Sequence, residues 1–366
     1  MTEPRTGPAG AVAPLAGGST RPPAEVYDVA LLDLDGVVYV GPDAVPGVPA
    51  ALAAVRAHGM RLGFVTNNAS RTPEDVAEHL RELDVPADAG DVITSSQAAA
   101  SVVAELLGPR GRVLPVGGPG VAAALRAAGL TVVERAEDAP DAVVQGYGRE
   151  VGWTQLAEAV VAVRNGARHV ATNTDTTIPS PRGPLPGNGA MVNVVATVTG
   201  QAPLVTGKPD PAMHAECVRR TGARRPLVVG DRLDTDIEGA RRAGAASLLV
   251  FTGVTDPATL LAAVPLHRPD LLAADANGLL VPHPPVTSDA TGWRCGAWSV
   301  RLAEAGAALV LEPTGPATDD DGFDGLRALC VAHWSRHPED GVPASVVAVG
   351  DRSEAAVRSW GMAARR

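Results

Sequence analysis

Two carboxylates stand two residues apart at the end of an apolar run, in Asp33-Leu34-Asp35-Gly36-Val37. A solvated turn accounts for such a pair, with Gly36 taking a backbone conformation that other residues avoid. At the end of a buried strand the same pair can do chemistry: one carboxylate attacks phosphorus while the other handles protons. A carboxylate nucleophile forms an acyl phosphate and divides hydrolysis into two easier steps. Thr66-Asn67-Asn68 offers a hydroxyl and amides that suit phosphate oxygens or, equally, a helix cap. Gly207-Lys208-Pro209 holds a cation in a turn, either a solvent-exposed charge or one that neutralises a nucleophile and developing phosphate charge. Gly230-Asp231-Arg232-Leu233-Asp234-Thr235-Asp236-Ile237 adds three carboxylates. Acidic residues favour helix N-termini, and they are also the hard oxygen ligands that Mg2+ takes, with water and substrate phosphate completing its shell. A P-loop is excluded, because Lys208 is followed by proline and lacks the glycine-rich approach.

The elements that must position these residues follow from patterning. Val26 to Leu32 and Arg61 to Val65 read as buried parallel strands that end at Asp33 and Thr66. A helix after Pro49 lies between them, with Leu52, Val55 and Met60 as its apolar positions, and Thr72-Pro73 reads as the start of another. Strand-like runs at 113–116, 141–146 and 169–172, with a helix over 153–163, form a second α/β unit. Its 173–189 stretch, rich in proline and glycine, is long enough to face a substrate. The first pattern resumes near Leu204, with strands at 227–231 and 247–250 and a helix over 234–243. The expected fold is therefore α/β: a Rossmann-like, doubly wound parallel sheet core, an inserted α/β cap domain and a small C-terminal α/β domain. The expected boundaries are a flexible leader over 1–25, core over 26–91, cap over 92–201, core over 202–284 and an extension over 285–366.

Bulk composition narrows the function. The 366 residues carry 45% hydrophobic side chains but only 3% aromatics, so Ala, Val and Leu must fill the cores. A net charge of -10 argues against nucleic-acid binding, which needs a positive field, while one local metal can still reverse the field in a pocket. Cys217, Cys295 and Cys330 form neither a disulfide framework nor a metal knuckle. No signal-peptide pattern and no 18-residue apolar run occur, which predicts a cytoplasmic protein without a membrane span.

The four chemical segments, in this order and with a cap-sized insertion after the second, strongly resemble the four motifs of the haloacid dehalogenase superfamily. The resemblance is to its phosphatases with a large α/β cap, the nitrophenyl-phosphatase-like and phosphoglycolate-phosphatase-like group. It implies Asp33 as nucleophile and Asp35 as general acid, then base. Thr66 and Asn67 would bind phosphate, and Lys208 would bridge phosphate and nucleophile. Mg2+ would be held by Asp33, the Asp35 carbonyl and Asp231, with Asp236 supporting the metal through water. Asn173-Thr174-Asp175 and Pro186-Gly187-Asn188-Gly189-Ala190 fit the cap's characteristic stretch, which makes Asn173, Asp175 and Arg182 candidates for substrate selectivity.

The whole architecture is similar to actinobacterial phosphatases that act on glycerol 3-phosphate and carry an acetyltransferase-like C-terminal extension. That resemblance makes glycerol 3-phosphate the expected substrate. The alternatives are 2-phosphoglycolate, a nucleoside monophosphate, or a non-catalytic regulatory binding role. The expected partner is a small phosphorylated metabolite, and self-association into a homo-oligomer is left open. The extension lacks an acyl-CoA pyrophosphate loop, and Gly350-Asp351-Arg352 repeats Gly230-Asp231-Arg232 in letters without its surroundings. A structural or regulatory extension is expected.

Overall fold

A computed structural model describes residues 13–178, 180, 182–303, 308–316 and 321–362. Its central sheet has six parallel strands in the order Leu271–Ala273, Ala246–Val250, Pro226–Gly230, Val29–Asp33, Arg61–Thr66 and Val92–Thr94. The first strand in sequence lies in the middle, so chain order reverses on either side of it. In open parallel sheets ligands bind at the carboxyl ends beside such a reversal. Asp33 ends that strand, and Asp231 directly follows its neighbour.

Side chains that alternate along the strands enter different cores. Leu248 and Val250 pack with Leu32, Phe64 and Leu52, whereas Leu249, between them, packs with Leu261, Leu272 and Trp298. Helix Val48–Ala57 covers the first face together with helix Pro73–Glu82, which Thr72 and Asp75 open as a reciprocal capping box. Met60, expected on the earlier of these helices, lies beyond its end but is buried in the same core.

A five-stranded parallel sheet forms the cap, in the order Leu204–Val205, Arg168–Ala171, Ala142–Gln145, Arg112–Val116 and Thr131–Val132. Two boundaries therefore move. Val92–Thr94 pairs with the core strand Arg61–Thr66, and Leu204–Val205 pairs with the cap strand Arg168–Ala171. Both segments are only two or three residues long, too short for composition to say which sheet they join. The long 173–189 stretch folds into a small hairpin, Thr177–Ile178 against Leu185–Pro186, before helix Asn188–Thr199 begins.

The expected flexible leader is also corrected. Residues 1–12 lie outside the described residues, but Leu15 is buried, Ser19 pairs with His283, and a short helix spans Pro23–Val26. From residue 287 a third sheet runs Thr287–Asp289, Gly292–Cys295, Trp298–Leu302, Leu309–Pro313 and Val346–Ala348, antiparallel except for its last pair. Helix Asp324–Arg336 is buried along most of its length between this sheet and the core. All three cysteines are buried and free. Among the described residues no helix is long and apolar enough to cross a membrane.

Candidate active site

Asp33, Lys208, Asp231 and Asp236 converge at the carboxyl ends of the central strands. Lys208 Nζ donates to Asp33 Oδ1 at 2.6 Å and to Asp236 Oδ1 at 2.7 Å. All three side chains are largely shielded, with relative exposures of 10% for Lys208, 12% for Asp33 and 1% for Asp236. Burial alone would discharge the lysine, but the two carboxylates outweigh it and hold its pKa above the ordinary value. Burial raises Asp33, opposed by Lys208. It also lifts Asp236 to about 6, again against Lys208 and with Asp33 adding to the rise. The direct Lys208–Asp236 pair was not legible in the sequence, where the resemblance gives Asp236 only a supporting role to the metal through water.

Asp231 is held differently. Its Oδ2 accepts from the Val254 N–H at 2.7 Å, while its Oδ1 is buried with no protein partner. Burial, followed by the charges of Asp33 and Asp236, raises its carboxyl to about 7. Gly36 makes room here: its φ is +87°, and a Cβ on it would lie 2.6 Å from Asp231 Oδ2. The turn after Asp231 is a π-helical turn, Leu233–Ile237, rather than the expected regular helix start, and the α-helix follows over Glu238–Ala243. This wide turn brings Asp236 back so that its Oδ2 accepts from the Arg232 N–H at 3.2 Å.

Oxygens of Asp33, Asp231 and Asp236 lie within 4.8 Å of one another. The donor set is hard and anionic, three carboxylates against the single ammonium of Lys208, and Asp231 has an unspent buried oxygen. These features fit a divalent oxygen-seeking cation such as Mg2+. Asp33 and Asp231 have oxygens to offer it, whereas Asp236 has both of its oxygens engaged.

Asp35 is solvent-reachable but crowded. That crowding raises its carboxyl, with Lys208, Arg71 and His79 pulling the other way. Tyr39 packs edge-on against His79, with ring centroids 5.2 Å apart, and lines the same corner. Arg71, His79 and Tyr39 were absent from the sequence expectations, since nothing in their spacing ties them to Asp35.

Thr66 is buried at the end of its strand, and its Oγ1 accepts from the Asn68 N–H at 3.0 Å. Asn67 sits beside it, but its side chain is committed to Lys208 and Asp175 rather than free in the crevice. Asn173 is buried and donates to the Asn67 carbonyl at 2.7 Å. Arg182 is not brought to the site: it is exposed near the tip of the cap hairpin, and its side chain makes no hydrogen bond or ion pair among the described residues.

A haloacid dehalogenase-like hydrolase model matches residues 30–131, a HAD-hydrolase-like model matches 205–279, and a GCN5-related N-acetyltransferase-like model matches 295–362. The chain belongs to the haloacid dehalogenase-like hydrolases, and it is a phosphoric monoester hydrolase of that superfamily. It is 42% identical over 353 residues to D-glycerol 3-phosphate phosphatase of Mycobacterium tuberculosis, covering 93% of this chain and 95% of that one. The acid sugar phosphatase of Staphylococcus aureus is 38% identical over 231 residues, covering 63% of this chain and 88% of its own length. Among solved structures, glycerol phosphate phosphatase from Mycobacterium tuberculosis in complex with magnesium superposes with a TM-score of 0.83 at 41% identity, over 94% of this chain and 99% of that one. The p-nitrophenyl phosphatase from Archaeoglobus fulgidus gives 0.64 at 27% identity, over 69% of this chain and 98% of its own.

Proposed function

We propose that this chain is a magnesium-dependent phosphatase that converts glycerol 3-phosphate and water to glycerol and inorganic phosphate through an aspartyl phosphate on Asp33. The observation that carries the chemistry is the Asp33–Lys208 pair at 2.6 Å, set at the reversal point of the sheet beside the unpartnered oxygen of Asp231. The substrate rests on 42% identity across nearly the whole length of a glycerol 3-phosphate phosphatase.

An oxygen of Asp33 attacks phosphorus in line with the departing alkoxide. As the phosphorus–alkoxide bond breaks, Asp35 gives its proton to the leaving oxygen. The crowding that raises Asp35 favours the protonated form this step needs. With glycerol gone, the Asp35 carboxylate takes a proton from water, whose oxygen attacks phosphorus and breaks its bond to Asp33. Inorganic phosphate leaves and both carboxyl groups return to their starting states.

Lys208 offsets the charge of the nucleophile and of the phosphate oxygens, and Asp236 keeps its ammonium aimed at Asp33. Thr66 and the backbone beside it bind the non-bridging oxygens. When bound, Mg2+ supplies charge neutralisation and orientation of the phosphate, with Asp33, the Asp35 carbonyl and Asp231 as the groups that would hold it. Asp234 stays outside this set, since its carboxylate is paired with Arg232 at 2.8 Å.

The test is kcat/KM over a panel of glycerol 3-phosphate, 2-phosphoglycolate and nucleoside monophosphates with and without magnesium, for the wild type and Asp33→Asn. Glycerol 3-phosphate should lead the panel, and Asp33→Asn should be inactive on every ester. Metal-dependent turnover by a clean Asp33→Asn preparation would overturn the mechanism, and a different leading ester would overturn the substrate.

A further inference from the structure

The side chain of Asn67 closes on both backbone groups of Lys208. Its Oδ1 accepts from the Lys208 N–H at 2.8 Å, and its Nδ2 donates to the Lys208 carbonyl at 3.1 Å. The orientation of the amide is fixed by its partners, because an N–H can meet only the oxygen and a carbonyl only the nitrogen. The second Nδ2 hydrogen reaches Asp175 Oδ2, on the cap, at 3.2 Å. This carboxamide therefore acts on the lysine backbone, and its capacity for a substrate phosphate is spent.

The Asn67 backbone is itself held from two sides. Its carbonyl accepts from Ser95 Oγ and from Asn173 Nδ2, both at 2.7 Å. The Asn173 carbonyl in turn accepts from Asn188 Nδ2 at 2.8 Å, and Asn188 also donates to the Gln145 carbonyl at 3.3 Å. Asn173 and Asn188 are 3% and 2% exposed, so neither faces a bound ester. Packing tightens the same line. A Cβ on Gly207 would run into the Thr172 carbonyl and lie 2.7 Å from Asn67 Oδ1, so the lysine segment and the cap loop touch backbone to backbone.

We propose that Asn173 and Asn188 are positioning residues for Lys208: an asparagine chain, Asn188 to Asn173 to Asn67, lets the cap fix where the ammonium meets the Asp33 nucleophile. The physical need is plain. A lysine side chain is long and flexible, so the contacts of its head with Asp33 and Asp236 must be backed by a fixed backbone. Here that backbone belongs to neither sheet and is fixed by one amide. This assignment gives the buried end of the cap's Asn-x-Asp and Pro-Gly-x-Gly stretches a task distinct from choosing the leaving group.

The inference rests on the phosphatase reading above. It is tested with Asn173→Asp, which keeps the shape but removes the donor, and Asn188→Ala, assayed on glycerol 3-phosphate and p-nitrophenyl phosphate in excess magnesium. Both variants are first checked for a cooperative urea transition, and if Asn173→Asp does not fold, Asn188→Ala carries the test. A misplacement near 1 Å costs on the order of a hundredfold in rate. The expected result is thus a fall in kcat of roughly ten- to a hundredfold for Asn173→Asp, and a smaller fall for Asn188→Ala. The factor should be the same for both esters, with KM little changed. Wild-type kcat in both folded variants overturns the proposal, as does a loss confined to KM or to glycerol 3-phosphate. Absence of turnover in the wild type would instead sink the phosphatase reading, and this inference with it.

Discussion

Removing magnesium should expose the electrostatic cost of the carboxylate cluster, and that cost should grow with pH. Asp231 titrates near 7 and Asp236 near 6 in the folded chain, against 3.8 for an ordinary aspartate, and Asp33 is raised as well. A carboxyl whose folded pKa lies above its unfolded value adds relative stability at low pH, which is lost as pH climbs through that interval. For Asp231 alone the loss amounts to at most about 4 kcal/mol, and Asp236 acts in the same direction. Lys208 is shifted upward and stays protonated throughout, so it adds no slope. The buried His169, His283 and His333 and the half-buried His214 are shifted downward by loss of hydration, which strengthens folding as pH rises toward 6.5 and masks the effect in a raw profile. The useful quantity is therefore the difference in urea unfolding free energy between magnesium and EDTA. It should rise by a few kcal/mol from about pH 5 to about pH 8. Asp231→Asn should abolish most of that increment, yet be the more stable chain in EDTA at the alkaline end. An increment that is flat with pH, or largest in acid, would refute the argument.

Lys208→Met leaves the Asp33 and Asp236 carboxylates buried without their shared cation. It should cost about 3–5 kcal/mol in urea unfolding near neutral pH, together with at least a hundredfold in kcat. Asp35→Asn should lower kcat by about a hundred- to ten-thousandfold. With an activated aryl ester, whose leaving group needs no proton, its aspartyl phosphate should accumulate, and intact-mass measurement would detect it. A chain ending at residue 284 should lose its cooperative urea transition, because Leu249, Leu261 and Leu272 would lose the third unit that covers them.

The catalytic strands were legible because each joins two strong signals, an apolar run and an abrupt polar end. Asp33, Thr66 and Asp231 lie where those signals place them. What sequence could not supply was partnership. Asn67 has the hydrogen-bonding capacity expected of a phosphate ligand, but residue type does not say that Lys208 and Asp175 use it first. Asp236 likewise reads as a helix-start acid until the π-helical turn swings it onto Lys208. Sheet membership failed for the same reason: Val92–Thr94 and Leu204–Val205 are apolar and short, and only tertiary pairing assigns them. The stretch from Leu15 to Ala24 shows how little sequence signal an anchored segment can carry, since buried Leu15, Pro23 and Ala24 and backbone hydrogen bonds to His283 and Val286 hold residues that composition marks as loose.

The C-terminal unit is part of the catalytic core's construction rather than an appendage. Leu233 and Ile237, on the turn that carries Asp236, share one apolar cluster with Trp298, Leu311, Leu326 and Trp334 of the extension. Polar contacts lock the same boundary. Arg268 of the core donates to the carbonyls of His337, Pro338 and Asp340, and Trp334 Nε1 donates to the Leu261 carbonyl at 3.1 Å. Arg327, 2% exposed, pairs with Asp321 and Asp324 of its own unit and donates to the Leu272 carbonyl of the core at 2.7 Å. A buried guanidinium is tolerated only while all of its partners are present. Parting the two units would therefore leave this cation short of its core acceptor as well as expose apolar surface. The turn bearing Asp236 is thus held on one side by Lys208 and on the other by the extension, which ties the geometry of phosphoryl transfer to residues far beyond the four catalytic segments.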